Sequence, residues 1–155
     1  MAESSRFLPD TNTWLALALS GHPHHALARQ WLDAVDDRSE IILCRAVQQS
    51  LLRLLTTAAV FAPLGDDPLT NREAWAVADA FAADARVSVA IFEPAAVSSG
   101  WREFSSLGTS SPKVWMDAYL AAFALRSDAT LVTNDRAFAG FQGLRSLILG
   151  QAAAS

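Results

Sequence analysis

The chain predicts an α/β fold built on a central, mainly parallel sheet of about five short strands. Two observations carry that prediction. β-rich apolar runs at Arg6–Pro9, Ile41–Leu43, Val87–Ile91, Ala129–Val132 and Arg145–Leu149 alternate with longer helical stretches, and such alternation implies parallel strands joined by right-handed crossovers. Alanine dominates a hydrophobic fraction of 52%, with seven glycines and six prolines in 155 residues, so helices should outnumber strands. The length suits a single core: residues 1–150 are read as one domain and 151–155 as a frayed tail.

Composition narrows the function classes. Charged residues make up 18%, and the formal charge of −4 exerts no general pull toward nucleic acid or an anionic membrane. A nucleic-acid substrate would have to be held by a local patch or through a metal ion. Lys113 is the only lysine among twelve basic residues, and arginine is the better planar phosphate ligand. Cys44 stands alone, which excludes a disulfide framework and a multi-cysteine zinc site. No secretory signal is readable, and no apolar run approaches the ~18 residues of a membrane span. The expectation is a cytoplasmic protein.

After a polar lead (1–5), Arg6–Pro9 forms the first strand, with Pro9 near its end, where the missing N–H does least harm. Asp10 stands at its C-terminal tip, and in open α/β sheets ligands bind beyond such tips. Thr11 or Asn12 can cap the next helix, although Asp10 is itself an eligible cap. Gly21-His22-Pro23 breaks this helix and leads to another, Ala26 to about Val35. His22, His24 and His25 look like a metal tract, but with no acidic residue nearby they read better as a solvated loop and helix start. Trp14, Leu17 and Trp31 fit either core packing or a face covered by a partner.

Ile41–Leu43 is a buried strand ended by Cys44, and Arg45–Thr57 is helical, with Val47, Leu51, Leu54 and Leu55 as its core stripe and Gln48 on a flank. Residues 62–70 are the longest irregular connection. Thr70 followed by Glu73 spells a capping box for a helix to about Ala85. Its buried face takes Ala74, Trp75, Val77, Ala78 and Phe81, while Asp79 and Asp84 point to water. Glu93-Pro94 begins a helix to about Phe104, and Ser105–Ser111 is a loop.

Ser111 is an eligible N-cap and Pro112 suits the first helical position of a stretch running to Leu125. Val114, Trp115, Met116, Tyr119, Leu120 and Phe123 put apolar side chains on every face, the mark of a buried helix, with Asp117 in its midst. A buried carboxylate needs an ion-pair partner or a metal. The only local cation is Lys113, so one reading is a Lys113–Asp117 pair. Ala129–Val132 is a strand ended by Thr133-Asn134-Asp135, Arg136–Phe141 a short helix or turn, and Arg145–Leu149 the last strand.

Asp10 and Asp135 therefore end two strands, and Asp117 lies one turn into the helix that feeds the second. If those strands are neighbours, three carboxylates converge at one edge of the sheet. Clustered anions raise one another's pKa unless a cation sits among them, and a hard divalent ion such as Mg²⁺ accepts a few carboxylates plus waters. A metal so held serves phosphodiester hydrolysis. No Ser-His-Asp or Cys-His arrangement and no Gly-rich phosphate loop is readable.

Pro9-Asp10-Thr11-Asn12-x-Trp14, the run Ser111–Ala124 around Asp117, and Leu131-Val132-Thr133-Asn134-Asp135-Arg136-Ala137-Phe138 together resemble PIN-domain ribonucleases. The likeness is greatest to the VapC toxins of bacterial toxin–antitoxin pairs, in order over nearly the whole chain. The resemblance implies a three-layer α/β/α fold and an endoribonuclease dependent on Mg²⁺ or Mn²⁺, acting on structured RNA such as tRNA. It implies Asp10, Asp117 and Asp135 as catalytic metal ligands, a homodimer, and inhibition by a small VapB-type antitoxin. Where the family usually carries a glutamate, this chain has Gln48, or less closely Gln49. A glutamine offers a carbonyl oxygen without charge. The consequence is weaker metal binding at a site leaning on three aspartates or, alternatively, a catalytically weak module that binds antitoxin or RNA. Asn12 and Thr133 would orient the aspartates, and Arg45, Arg53, Lys113 and Arg136, near the pocket rim, would meet phosphates.

Overall fold

The computed structural model describes residues 4–151; the expected tail, from 152 onward, lies outside them. Strands β1 (Arg6–Pro9), β2 (Glu40–Cys44), β3 (Val87–Ala90), β4 (Thr130–Thr133) and β5 (Ser146–Ile148) form one sheet in the order β3-β2-β1-β4-β5. Every neighbouring pair is parallel. The helices are α1 (Thr11–Ala18), α2 (His25–Ala34), α3 (Arg45–Leu55), α4 (Ala58–Phe61), α5 (Asn71–Ala82), α6 (Val97–Ser105) and α7 (Val114–Arg126).

Two crossovers step one way, from β1 to β2 and from β2 to β3. The next, through α6 and α7, returns to the far side of β1. Right-handed crossovers in opposite directions lay their helices on opposite faces. So α1 packs against α2 and α3, and α3 against α5, while α6 packs along α7. The reversal falls between β1 and β4, where the C-terminal ends of the strands open a crevice. Register pairs Pro9 with Val132, and the Asp10 N–H donates to the Val132 carbonyl at 2.9 Å. Asp10 is therefore the next residue past a fully paired strand tip.

Leu8, Ile41, Leu43, Leu131 and Val132 are wholly buried in the three inner strands, as continuous apolar strands covered on both faces should be. Trp14, Leu17 and Trp31 are buried within the monomer. Trp14 meets Phe81 edge-on at 4.9 Å and Phe7 meets Trp31 at 5.7 Å. Their apolar surface is core, not a face left for a partner. The Thr70–Glu73 capping box forms in full at the start of α5.

Several local expectations are corrected. Ser111 and Pro112 do not start α7. They belong to a turn in which the Val114 N–H donates to the Ser111 carbonyl at 3.3 Å, and the helix begins at Val114. Nor is α7 buried all round: Trp115 is 57% exposed. Its buried face is made largely of Ala118, Ala121, Ala122 and Ala124, and the small side chain of Ala122 lets α6 approach closely. Gly100 of α6 faces Ala122 so tightly that an added Cβ would lie 3.2 Å from the alanine's own. Helix α6 starts later than Glu93-Pro94 because Ala96 takes a left-handed conformation (φ 62°) just before it. Trp75 is exposed on α5. Asp84, expected in water, grips Arg86, whose Nη1 donates to the Leu32 and Val35 carbonyls at 2.8 and 2.9 Å and ties down the end of α2. The irregular connection holds a 3₁₀ turn, Ala62–Leu64.

Candidate metal centre

The site begins at the tip of β1. Asp10 is both the N-cap of α1 and a member of the acidic set: the two roles coincide. Its Oδ1 accepts the Thr13 N–H at 2.9 Å and lies 2.7 Å from the Thr13 hydroxyl, while its Oδ2 accepts the Thr133 hydroxyl at 2.6 Å. Thr13 and Thr133 are fully buried and Asp10 nearly so. Burial pushes the Asp10 carboxyl above its ordinary value, the threonine donors pull it back, and the charge of Asp135 adds to the rise. Thr11 and Asn12 do not cap α1. Asn12 is exposed and, among the described residues, makes no side-chain hydrogen bond to Asp10; Thr13, one residue on, takes that part.

Thr133 ties the two strand tips together. While its hydroxyl donates to Asp10, it accepts the backbone N–H of Asp135 at 2.9 Å. Asp135 in turn caps the 3₁₀ turn Arg136–Gly140 through Oδ1, which accepts the Ala137 N–H at 2.9 Å. Its Oδ2 lies 3.8 Å from Lys113 Nζ. The local cation thus pairs with Asp135 and not with Asp117, four residues along its own helix. Between the two strand-end residues, Asn134 keeps both amide atoms buried and without a partner among the described residues.

Asp117 approaches from α7. It is half-buried, and among the described residues its carboxylate has no hydrogen-bond donor. Burial raises its pKa, the charges of Asp135 and Asp10 raise it further, and Lys113 opposes them. With Asp10 it lines a cleft of about 240 Å³ whose rim includes Asn12, Ser50, Arg53 and Met116. Ser50 and Thr13 were not singled out from the sequence. The signal for Thr13 was its place at the third helical position after an aspartate cap.

The three carboxylates lie within electrostatic reach of one another without forming a closed cage. Among the described residues no three His, Cys, Asp or Glu side chains converge tightly enough to grip one ion as they stand. Asp135 pairs with Lys113, and the Gln48 Oε1 accepts a hydrogen bond from Arg45. Gln48 is buried and its carbonyl already accepts from Arg45, so only its second lone pair is left for a metal, beside a guanidinium charge that opposes a cation. The donor set nonetheless fits a hard divalent cation: all oxygen, anionic, mutually repelling, and open enough for waters to complete the shell. The histidines make no such group, and His25 Nδ1 lies 2.7 Å from the Ala16 carbonyl. Arg53 reaches the acidic cleft, Arg45 lies toward its neighbour, and Arg136 is exposed with no ion pair among the described residues.

A parallel sheet whose strand order reverses beside a buried aspartate, with two further aspartates nearby, defines a class. The family model of the PIN domain matches residues 7–144, and the chain belongs to the PIN-domain family. Within it the chain stands among the VapC ribonucleases. It is 52% identical to Ribonuclease VapC41 of Mycobacterium tuberculosis over 93% of this chain and 99% of that protein. It is 31% identical to Ribonuclease VapC31 of the same organism, over 91% and 96%. Solved structures share the fold. The VapBC2 structure from Rickettsia felis, bound to a promoter DNA fragment, gives a TM-score of 0.66 at 17% identity over 92% of this chain and 97% of that one. VapC20 of M. tuberculosis, a sarcin-ricin loop cleaving toxin, gives 0.63 at 18% identity over 90% and 98%. The expected α/β/α architecture is the one observed.

Proposed function

We propose that this VapC-type ribonuclease cuts RNA internally with Mg²⁺ or Mn²⁺ held by Asp10, Asp117 and Asp135. The observation that carries the reading is the burial of Asp10 at the β1–β4 reversal, where the charge of Asp135 opposes its ionisation and both charges in turn oppose that of Asp117. A divalent ion bound there would supply charge neutralisation at the phosphate and a more acidic water. The chain's own residues do the rest. Thr13 and Thr133 fix the Asp10 oxygens, and Thr133 sets the Asp135 backbone in the same step. Lys113 and Arg53 offer positive charge at the rim, where phosphates on either side of the scissile bond would pass. Structured RNA such as tRNA is the substrate class, a VapB-type antitoxin the inhibitor, a homodimer the assembly and the cytoplasm the setting. Likeness to VapBC structures supports the antitoxin. Among the described residues no helix is long and apolar enough to cross a membrane.

RNA cleavage with Mn²⁺ should be lost on chelation and in Asp10→Ala and Asp117→Ala. Cleavage unchanged in those variants, or indifferent to chelator, would sink the reading. Gln48 motivates a second one, a catalytically weak module that mainly binds antitoxin or RNA, since its carbonyl is already bonded to Arg45. Wild-type protein that binds RNA without cutting it at any Mn²⁺ concentration would favour that second reading.

A further inference from the structure

Beside the acidic cleft lies a larger one of about 580 Å³, between the start of α3, the end of β3, α6 and α7, within the volume range of small-molecule sites. Its walls are aromatic and exposed, with Trp115 57% and Trp101 38% accessible. Trp101 and Tyr119 are also fixed. The Trp101 Nε1–H donates to the Trp115 carbonyl at 3.0 Å, Trp101 meets Tyr119 edge-on at 5.7 Å, and the Tyr119 hydroxyl donates to Glu93 Oε1 at 3.0 Å. Met116 lines both this cleft and the acidic one, so the two adjoin with one side chain between them. Arg45 lies at its edge. An exposed tryptophan, Trp115, backed by the fixed Trp101–Tyr119 pair and lying beside a cation, forms a surface on which an unpaired base can stack.

We propose that this aromatic cleft is a nucleobase pocket that takes one unpaired base adjoining the scissile phosphodiester. The base stacks on Trp115 with Trp101 behind, and Arg45 meets the neighbouring phosphate. The inference rests on the ribonuclease reading and adds to it a determinant of which bond is cut. Glu93 sets the preference. One of its oxygens already accepts from Tyr119, which leaves acceptor capacity for a base with paired N–H donors. Guanine presents two on its Watson–Crick edge, so guanine is favoured over the other bases.

The test uses full-length protein and single-stranded oligoribonucleotides that differ only in the bases flanking the cut. Trp115→Ala should raise KM roughly tenfold, the size of one lost stacking contact, with kcat little changed. Trp115→Phe should restore most of the loss, and Glu93→Gln should erase the guanine preference. In parallel, guanine-containing oligomers should quench tryptophan fluorescence in chelator, in wild type but not in Trp115→Ala. Folded Trp115→Ala and Glu93→Gln variants with wild-type KM, base preference and quenching would overturn the proposal. So would a Trp115→Ala defect confined to binding a VapB-type peptide. Wild-type protein that quenches but cuts no RNA would count against the cleavage reading while leaving the pocket standing.

Discussion

Asp10 and Asp117 are the same chemical group on two sides of one cleft, held in opposite ways. Asp10, at the end of a paired inner strand, has its oxygens fixed by Thr13 and Thr133 and is nearly inaccessible. Asp117, on a helix with one face in water, is half-buried and has no donor among the described residues. Asp10 is part of the fold's own hydrogen bonding; Asp117 is positioned only by its helix. One side of the site is thus built before any ligand arrives, and the other is free to adjust to it. Such a division suits a centre in which a rigid anchor sets position and mobile carboxylates complete the shell.

The contrast is broken most sharply by removing each side. Both Asp10→Ala and Asp117→Ala should lower RNA cleavage by roughly a thousandfold or more, since several kcal/mol of charge stabilisation go with the ion. Their stabilities should differ. At the acid end of the folded range, where the cost of the Asp10 charge is smallest, Asp10→Ala loses a helix cap worth about 1 kcal/mol and strands the buried Thr133 hydroxyl, while the Thr13 hydroxyl keeps the Val132 carbonyl as acceptor. Asp117→Ala should melt at or above the wild-type temperature. Equal melting temperatures would erase the distinction between anchor and adjustable ligand.

A smaller effect tests how the anchor is held. Thr133→Val keeps the shape but removes the hydroxyl joining Asp10 to Asp135. Metal affinity measured by calorimetry should fall about 10–100-fold, as when an outer-shell partner is lost. An unchanged affinity would mean that packing alone aims the two carboxylates.

The pH dependence separates the two sides further. Asp10 and Asp117 both sit above their ordinary value of 3.8 in the folded chain. The native state therefore holds protons that the unfolded chain has released. This contribution to stability is complete below the unfolded pKa and is lost as pH rises through the raised ones. Other carboxylates, Asp84 among them, are shifted the opposite way, so the informative quantity is wild type minus Asp117→Asn. With chelator present, that difference should move against the wild type as pH climbs from 4 to neutrality, and Mn²⁺ should cancel it. A difference flat in pH would show that Asp117 is not strained by its neighbours.

The mildest change is Gln48→Glu. The new carboxylate can pair with Arg45, which already bonds the glutamine, or turn to the ion. A several-fold gain in Mg²⁺ affinity is expected; no gain would show that Arg45 keeps the side chain away from the metal.

How much of this was legible in the sequence depended on what each signal measured. The strands were readable because inner parallel strands must be apolar throughout, and the start of α5 because a capping box is written in two residues. The convergence of Asp10 and Asp135 followed from strand tips becoming neighbours. What failed was reading burial from side-chain size. Trp75 and Trp115 face water, while alanines make up most of the buried face of α7 and Ala122 meets Gly100 in the seam with α6, because close helix approach favours the smallest side chains. Asn12 and Thr13 were separable only by knowing which residue points back at the strand. The bond from Arg45 to Gln48 is a choice among rotamers, which no spacing encodes.

The tight seam between Gly100 and Ala122 has a bearing well beyond packing. Helix α7 carries that seam on one flank and Asp117 on another, so the thickness of a glycine in α6 works as a shim behind that carboxylate. Bulk added there would tilt or lift the helix, changing the width of the cleft between Asp117 and Asp10 without touching either. In this molecule the bore of the acidic cleft is gauged from the back wall.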